Sequence, residues 1–149
     1  MAETKFKGTL VHLAGDFPKK GTLAQDFVLV KNDLSTLRLS ELRGKNVVLN
    51  IFPSLDTSVC STSVRRFNQL AAAFPDTVVL CISRDLPFAQ SRFCVAEGIK
   101  DVITLSDFRL HSTFARDYGV LMTEGPLSGL LARAIVVIDP EGIVIHTQL

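Results

Sequence analysis

The sequence predicts an α/β fold in which a central mixed β-sheet is flanked by helices. Apolar stretches typical of buried strands, residues 47–52 and 78–82, are each followed by a stretch with helical spacing. Residues 134–138 and 143–147 flank a tight turn and predict an antiparallel pair. Because strand–helix units favour parallel neighbours and a hairpin requires antiparallel ones, the sheet is expected to be mixed.

The N-terminal part of the chain predicts extended structure. Residues 6–27 alternate apolar and other residues around several glycines, Gly8 among them, which favours an N-terminal β-hairpin followed by a loop. Short strands are predicted at residues 27–30 and 37–39. Ser40 is then expected to cap a brief helix that ends at Gly44.

The centre of the chain predicts the first strand–helix unit. Residues 47–52 form an apolar strand, Pro53 ends it, and helical spacing runs from about residue 59 to 74. Cys60 therefore lies in the first turn of this helix. There the unpaired backbone N–H groups and the positive end of the helix dipole favour a thiolate.

The remaining elements follow in order. The strand at 78–82 contains Cys81, and a second helix, with Asp85 as an acidic cap and Pro87 in its first turn, is expected to run to about residue 97 with Cys94 near its end. The predictions after it are a strand at 101–105, a helix at 108–118, a loop at 121–130, and a closing hairpin whose turn is residues 139–142.

Length and composition exclude several classes of protein. The 149 residues, 47% hydrophobic and 21% charged, predict one globular domain over residues 1–149. A net charge of +1 argues against nucleic-acid binding, and no membrane span or signal peptide is expected, so a cytoplasmic location is predicted. Three cysteines without C-x-x-C spacing, and three scattered histidines, predict neither a disulfide framework nor a metal site.

One motif stands at the strand–helix junction. Pro53, Thr57 and Cys60 form P-x-x-x-T-x-x-C, and a second cysteine, Cys94, lies in LPFAQSRFC. With these motifs and the segments RRFNQLA, DVITLSDFR and GPLSGLLARAIVVID, the sequence resembles the thiol peroxidase branch of the peroxiredoxins, in its atypical two-cysteine form. The resemblance implies a thioredoxin-like fold, peroxide reduction by Cys60, resolution by Cys94 in the same chain, recycling by thioredoxin, and a homodimer. It also implies a C-terminal helix after HTQL, which this sequence does not contain.

Thiolate formation alone is too weak an effect for a peroxidase. A free cysteine with a pKa of about 8.5 is a few per cent thiolate at neutral pH, and lowering that pKa to about 6 gains roughly thirtyfold. Most of the acceleration is therefore expected from groups that stabilise charge as the O–O bond breaks. The candidates are Thr57, three residues before Cys60, and Arg133, a charge placed among apolar residues. The resemblance further implies that Pro53 shields the sulfur.

Each candidate also has a simpler interpretation. Thr57 could be only a helix cap, Arg133 could extend to solvent along an apolar stem, and Pro53 could only end the strand. Cys94 could serve packing alone. Cys81, inside VVLCI, is interpreted as a buried structural thiol.

The expected cycle has three steps and needs no metal or organic cofactor. The Cys60 thiolate attacks a hydroperoxide to give a sulfenic acid, Cys94 condenses with it to a disulfide, and thioredoxin reduces that disulfide. The segment around Cys94, either alone or together with the first turn at Cys60, is expected to unwind during closure, since the α-carbons of a disulfide lie within about 7 Å. The apolar loop LSGLLA favours alkyl or lipid hydroperoxides over hydrogen peroxide. A thioredoxin-like dithiol carrier and a peroxide sensor stay open as alternatives.

Overall fold

The computed structural model describes residues 3–6 and 9–149. Within this part of the chain the strands are β1 (Glu3–Phe6), β2 (Thr9–Ala14), β3 (Val28–Lys31), β4 (Thr36–Arg38), β5 (Asn46–Ile51), β6 (Thr77–Ser83), β7 (Ile103–Ser106), β8 (Leu121–Met122), β9 (Ala134–Ile138) and β10 (Val144–Gln148). The helices are α1 (Ser58–Ala73), α2 (Pro87–Glu97) and α3 (Phe114–Asp117), with a 3-10 helix at Leu39–Leu42.

Seven strands form a central mixed sheet in the order β10-β9-β5-β6-β7-β3-β4. The inner strands β5, β6 and β7 are parallel, whereas β9 and β10 on one side and β3 and β4 on the other join by antiparallel pairing. A smaller sheet has the order β1-β2-β8. The predicted mixed sheet and N-terminal hairpin are confirmed; the hairpin's turn, with Gly8, lies outside the described residues.

The sheet separates two apolar clusters. Alternate residues of β5, such as Leu49 and Ile51, are fully buried in the larger cluster, on the face that also packs against β2 and α3. On the other face, Val79 and Cys81 of β6 pack with Val64 of α1 and with residues of α2. Both cysteine-bearing helices therefore lie on the same face of the sheet.

Strand register determines which loops meet. Ile51, the last residue of β5, is opposite Ala134, the first residue of β9, and also opposite Ile82 of β6. The segment after β5, the segment before β9 and the segment after β6 thus emerge at one edge of the sheet. The turn between β9 and β10 lies at the opposite edge, because Val47 at the start of β5 is opposite Ile138.

Most predicted elements are observed within one or two residues of the expected bounds, but the helix predicted at 108–118 is wrong. Only Phe114–Asp117 is helical. The preceding residues form turns instead, because the buried Asp107 carboxylate accepts a hydrogen bond from the Ser112 hydroxyl and holds the chain back on itself.

Two predicted helix caps are also wrong. Ser40 lies inside the 3-10 helix, whose N-cap is Arg38, and its N–H donates to the Asp26 carboxylate. Leu86, not Asp85, is the N-cap of α2, because the Asp85 carboxylate is committed to other partners. No helix in residues 3–6 and 9–149 is both long and apolar enough to cross a membrane.

Candidate active site

The loop between β5 and α1 presents the predicted motif. Pro53 follows the buried Phe52 and is itself half-buried. Thr57 is the N-cap of α1, and its hydroxyl oxygen accepts a hydrogen bond from the Cys60 N–H at 3.3 Å. The same hydroxyl donates to the Ser54 carbonyl at 3.1 Å. The capping interaction therefore exists, and it holds the threonine hydroxyl at the turn that carries the cysteine.

Cys60 lies in the first turn of α1, as predicted, and only 1% of its surface is exposed. Its sulfur accepts a hydrogen bond from Nη2 of Arg133, with the two atoms 3.1 Å apart. Arg133 directly precedes β9 and is a solvent-exposed residue. A guanidinium at this distance stabilises negative charge on the sulfur and on an oxygen bound beside it. The structure thus brings Cys60, Thr57 and Arg133 together.

Asp85, predicted only as a helix cap, supports the site. Its carboxylate accepts three hydrogen bonds of 2.7 Å, from the Ser54 hydroxyl, the Leu55 N–H and the Ser83 hydroxyl. The carboxylate therefore fastens the loop before Cys60 to the end of β6. The signal available in the sequence was a polar triplet, Ser83 to Asp85, directly after a buried strand.

Cys94 lies in the last turn of α2 and is half-buried. It packs against the same apolar cluster as Cys60, so the two thiols border one region of the interior. Burial raises the pKa of the Cys94 thiol, and the neighbouring Thr104 hydroxyl offsets part of that rise. All three cysteines of the chain are free thiols in the structure.

Cys81 has the surroundings of an inert thiol. It is fully buried in β6, where its sulfur accepts a 3.7 Å hydrogen bond from the Asn50 amide. Burial raises the pKa of Cys81 to about 12. A neutral thiol in an apolar interior is a poor nucleophile, and this environment suits the structural role that was predicted.

Comparisons with known proteins show the family to which the chain belongs. Residues 19–149 match the Redoxin family. The chain is 49% identical over 149 residues to a thiol peroxidase of Corynebacterium glutamicum and 50% identical over 149 residues to one of Mycobacterium bovis. Both alignments cover 100% of this chain, with 89% and 88% of the respective relatives.

Solved structures show the same likeness. A peroxiredoxin-like protein from Aquifex aeolicus superposes with a TM-score of 0.92 at 41% identity, covering 99% of this chain and 85% of that one. A thiol peroxidase from Chromobacterium violaceum gives a TM-score of 0.86 at 26% identity, covering 98% and 84%. The expected thioredoxin-like fold is confirmed. The chain therefore belongs to the Redoxin family, in the thiol peroxidase branch of the peroxiredoxins, and is a peroxidase that reduces peroxides with a thiol.

Proposed function

We propose that Cys60 is the peroxidatic nucleophile and that Arg133 and Thr57 assist it. The observation that carries this proposal is the 3.1 Å hydrogen bond from the Arg133 guanidinium to the Cys60 sulfur. Of the three cysteines, Cys60 combines a position in the first turn of a helix with a cationic partner. Both features favour the thiolate, the form of cysteine that attacks a peroxide.

In the first step the Cys60 thiolate attacks the distal oxygen of a hydroperoxide. The O–O bond breaks, the sulfur becomes a sulfenic acid, and the alkoxide takes a proton and leaves as an alcohol, or as water from hydrogen peroxide. Arg133 is positioned to stabilise the charge that develops on the leaving oxygen, and the Thr57 hydroxyl is a second hydrogen-bonding group at the turn. Pro53, which has no N–H, completes the wall of the site and limits water access to the sulfur.

In the second step the Cys94 sulfur attacks the Cys60 sulfenic acid. An S–S bond forms and the sulfenic oxygen leaves as water. Because Cys94 is held in the last turn of α2, the C-terminal part of that helix unwinds to deliver the sulfur. Thioredoxin then returns two electrons and two protons to the disulfide, which restores both thiols.

The substrates proposed are alkyl or lipid hydroperoxides together with hydrogen peroxide. Apolar side chains precede Arg133 along the chain, and Leu127 and Leu130 among them are only partly buried. Such side chains favour an alkyl group next to the charged centre. We further propose that the protein works in the cytoplasm as a homodimer of one-domain subunits, with thioredoxin as its reductant.

Coupled turnover tests this function. The purified protein is mixed with thioredoxin, thioredoxin reductase, NADPH and a hydroperoxide, and NADPH loss is followed for the wild type and for Cys60→Ser, Cys94→Ser and Cys81→Ser. Turnover is expected to vanish in the first two variants and to persist in the third. Steady turnover in Cys60→Ser would exclude Cys60 as the nucleophile, whereas turnover unaffected by Cys94→Ser would exclude only its resolving role.

A further inference from the structure

Two consecutive residues at the carboxyl end of β6, Arg84 and Asp85, each bond a different active-site segment. Arg84 directs Nη1 at the Gly129 carbonyl, 2.6 Å away, in the segment that leads to Arg133. Asp85 accepts from Ser54 and Leu55, in the loop that leads to Cys60. We propose that this pair consists of positioning residues that hold the Arg133 guanidinium in register with the Cys60 sulfur. This inference rests on the proposed function and goes beyond it.

The Arg84 guanidinium is held in place by a second hydrogen bond, to Asp107. Its Nε donates to the Asp107 carboxylate at 3.2 Å, and the Asp107 side chain is completely buried. The second carboxylate oxygen of Asp107 is occupied by the Ser112 hydroxyl. A buried carboxylate with this pairing fixes the guanidinium plane, because an arginine donates along fixed directions. The Gly129 carbonyl therefore meets a rigid donor.

Gly129, which Arg84 contacts, lies only four residues before Arg133, so the position of this segment determines where Arg133 lies. The Gly129 N–H donates to the Met122 carbonyl at 2.9 Å, and the Ala132 N–H donates to the Val120 carbonyl at 2.8 Å. Leu131 and Ala132 are fully buried. With both backbone ends held, the four residues from Gly129 to Ala132 have little freedom, and the bond from Arg84 closes the remaining side.

Asp85 is linked to Cys60 by a continuous series of hydrogen bonds, so it helps to determine where the sulfur lies. Asp85 accepts from the Ser54 hydroxyl, the Ser54 carbonyl accepts from the Thr57 hydroxyl, and that hydroxyl accepts from the Cys60 N–H. The carboxylate thus acts on the sulfur through residues that themselves form the turn. Adjacent residues on one strand end bond to both halves of the site, so they set the spacing between those halves.

The test measures the rate of Cys60 oxidation by hydrogen peroxide in stopped flow. Arg84→Met and Asp85→Ala are expected to lower this rate about tenfold or more, because small misplacements of catalytic groups have effects of that size. Asp85→Asn is expected to keep the rate within about threefold, since an amide oxygen still accepts from the Leu55 N–H. The rate of Cys60 alkylation by iodoacetamide is expected to fall in Arg84→Met, because Arg133 is no longer held beside the sulfur.

Matched controls separate positioning from a general effect of losing such bonds. Arg43 donates Nη1 to the Glu141 carbonyl at the opposite edge of the sheet, and Asp33 accepts from Ser35 in the turn between β3 and β4. Arg43→Met and Asp33→Ala lose bonds of the same kind and are expected to leave the rate within about twofold. Because Arg84→Met leaves the buried Asp107 carboxylate without its cationic partner, the double variant Arg84→Met/Asp107→Asn is measured too and is expected to stay as slow.

A double-mutant cycle tests whether Arg84 acts on the oxidation rate through Arg133. If Arg84 acts through Arg133, then Arg84→Met has no further effect, within about twofold, in an Arg133→Met background. Wild-type oxidation rates in Arg84→Met and Asp85→Ala would overturn the proposal, as would an equal effect of Arg84→Met in both backgrounds. A wild-type protein whose Cys60 does not react with peroxide would instead contradict the proposed function itself, so the two failures are distinguishable.

Discussion

The guanidinium of Arg133 donates a hydrogen bond to the Cys60 sulfur across 73 residues of sequence. The contact follows from strand register, because the end of β5 and the start of β9 are paired residues of one sheet. The segments that carry the two groups therefore leave the sheet side by side. A site built on strand ends in this way inherits the rigidity of the sheet.

Removing the Arg133 charge is expected to slow the first chemical step. In Arg133→Met the rate of Cys60 oxidation should fall about 10²- to 10³-fold, the usual effect of removing one donor that stabilises developing charge. Arg133→Lys keeps the positive charge but loses the planar guanidinium, so its oxidation rate should lie between those of the wild type and Arg133→Met. Stopped-flow oxidation measures both. A rate for Arg133→Met within threefold of the wild type would mean that the hydrogen bond has no catalytic role.

Thr57 caps α1 by accepting from the Cys60 N–H, and its hydroxyl is also proposed to assist the reaction at the sulfur. Two substitutions separate these roles. Thr57→Val removes both, so unfolding free energy should fall by about 1 kcal/mol and oxidation should slow. Thr57→Asn keeps a capping oxygen and should retain the stability while oxidation still slows. Urea denaturation and stopped flow measure the two quantities. If Thr57→Asn reacts at the wild-type rate, the threonine serves only as a cap.

The proposed resolving step requires α2 to open. In the oxidised protein the amides of α2 should exchange with deuterium faster than in the reduced protein, with the largest change in the turn around Cys94. Hydrogen-exchange mass spectrometry of both forms measures this difference. The helix α3 is an internal reference that should not change. Equal protection of α2 in both redox states would show that the disulfide forms without unwinding.

Cys81 is expected to limit stability at alkaline pH. Its pKa rises from an ordinary 9.0 to about 12 on folding, so the thiol stays neutral in the folded protein while it ionises in the unfolded chain. This contribution to the free energy of unfolding is therefore fully present below pH 9. It is lost as the pH rises from 9.0 to about 12, by roughly 4 kcal/mol. Urea denaturation should show a flatter alkaline profile for Cys81→Val than for the wild type. Identical profiles for the two proteins would contradict this account.

Most elements of the fold could be predicted from the sequence because the local signals that end strands and helices were unambiguous. Pro53 ends β5, Gly98 ends α2 in a left-handed conformation, and Asp139 accepts from the N–H groups of Glu141 and Ile143 to form the last hairpin turn. The helix predicted at 108–118 failed for a tertiary reason. The partners of Asp107 include Arg84, 23 residues away, and such a contact overrides local helical spacing.

The candidate site was predictable only in part for the same reason. Cys60 and Thr57 are neighbours in sequence, so their spacing on one helix turn could be predicted. Arg133 was suggested by the cost of placing a charge among apolar residues, and its place beside Cys60 was inferred from the chemistry of peroxide reduction and not from any spacing pattern. The roles proposed for Arg84 and Asp85 depend on contacts 45 and 30 residues away, which no spacing pattern indicates.

Oxidation of the reduced protein by one equivalent of hydroperoxide tests the central claim most directly. Peptide mapping by mass spectrometry after alkylation of the remaining thiols then locates the oxidised sulfur atoms. The expected product is a disulfide between Cys60 and Cys94 with Cys81 still a free thiol, and Cys94→Ser should instead hold a sulfenic acid on Cys60. Oxidation that leaves Cys60 as a free thiol would contradict the account.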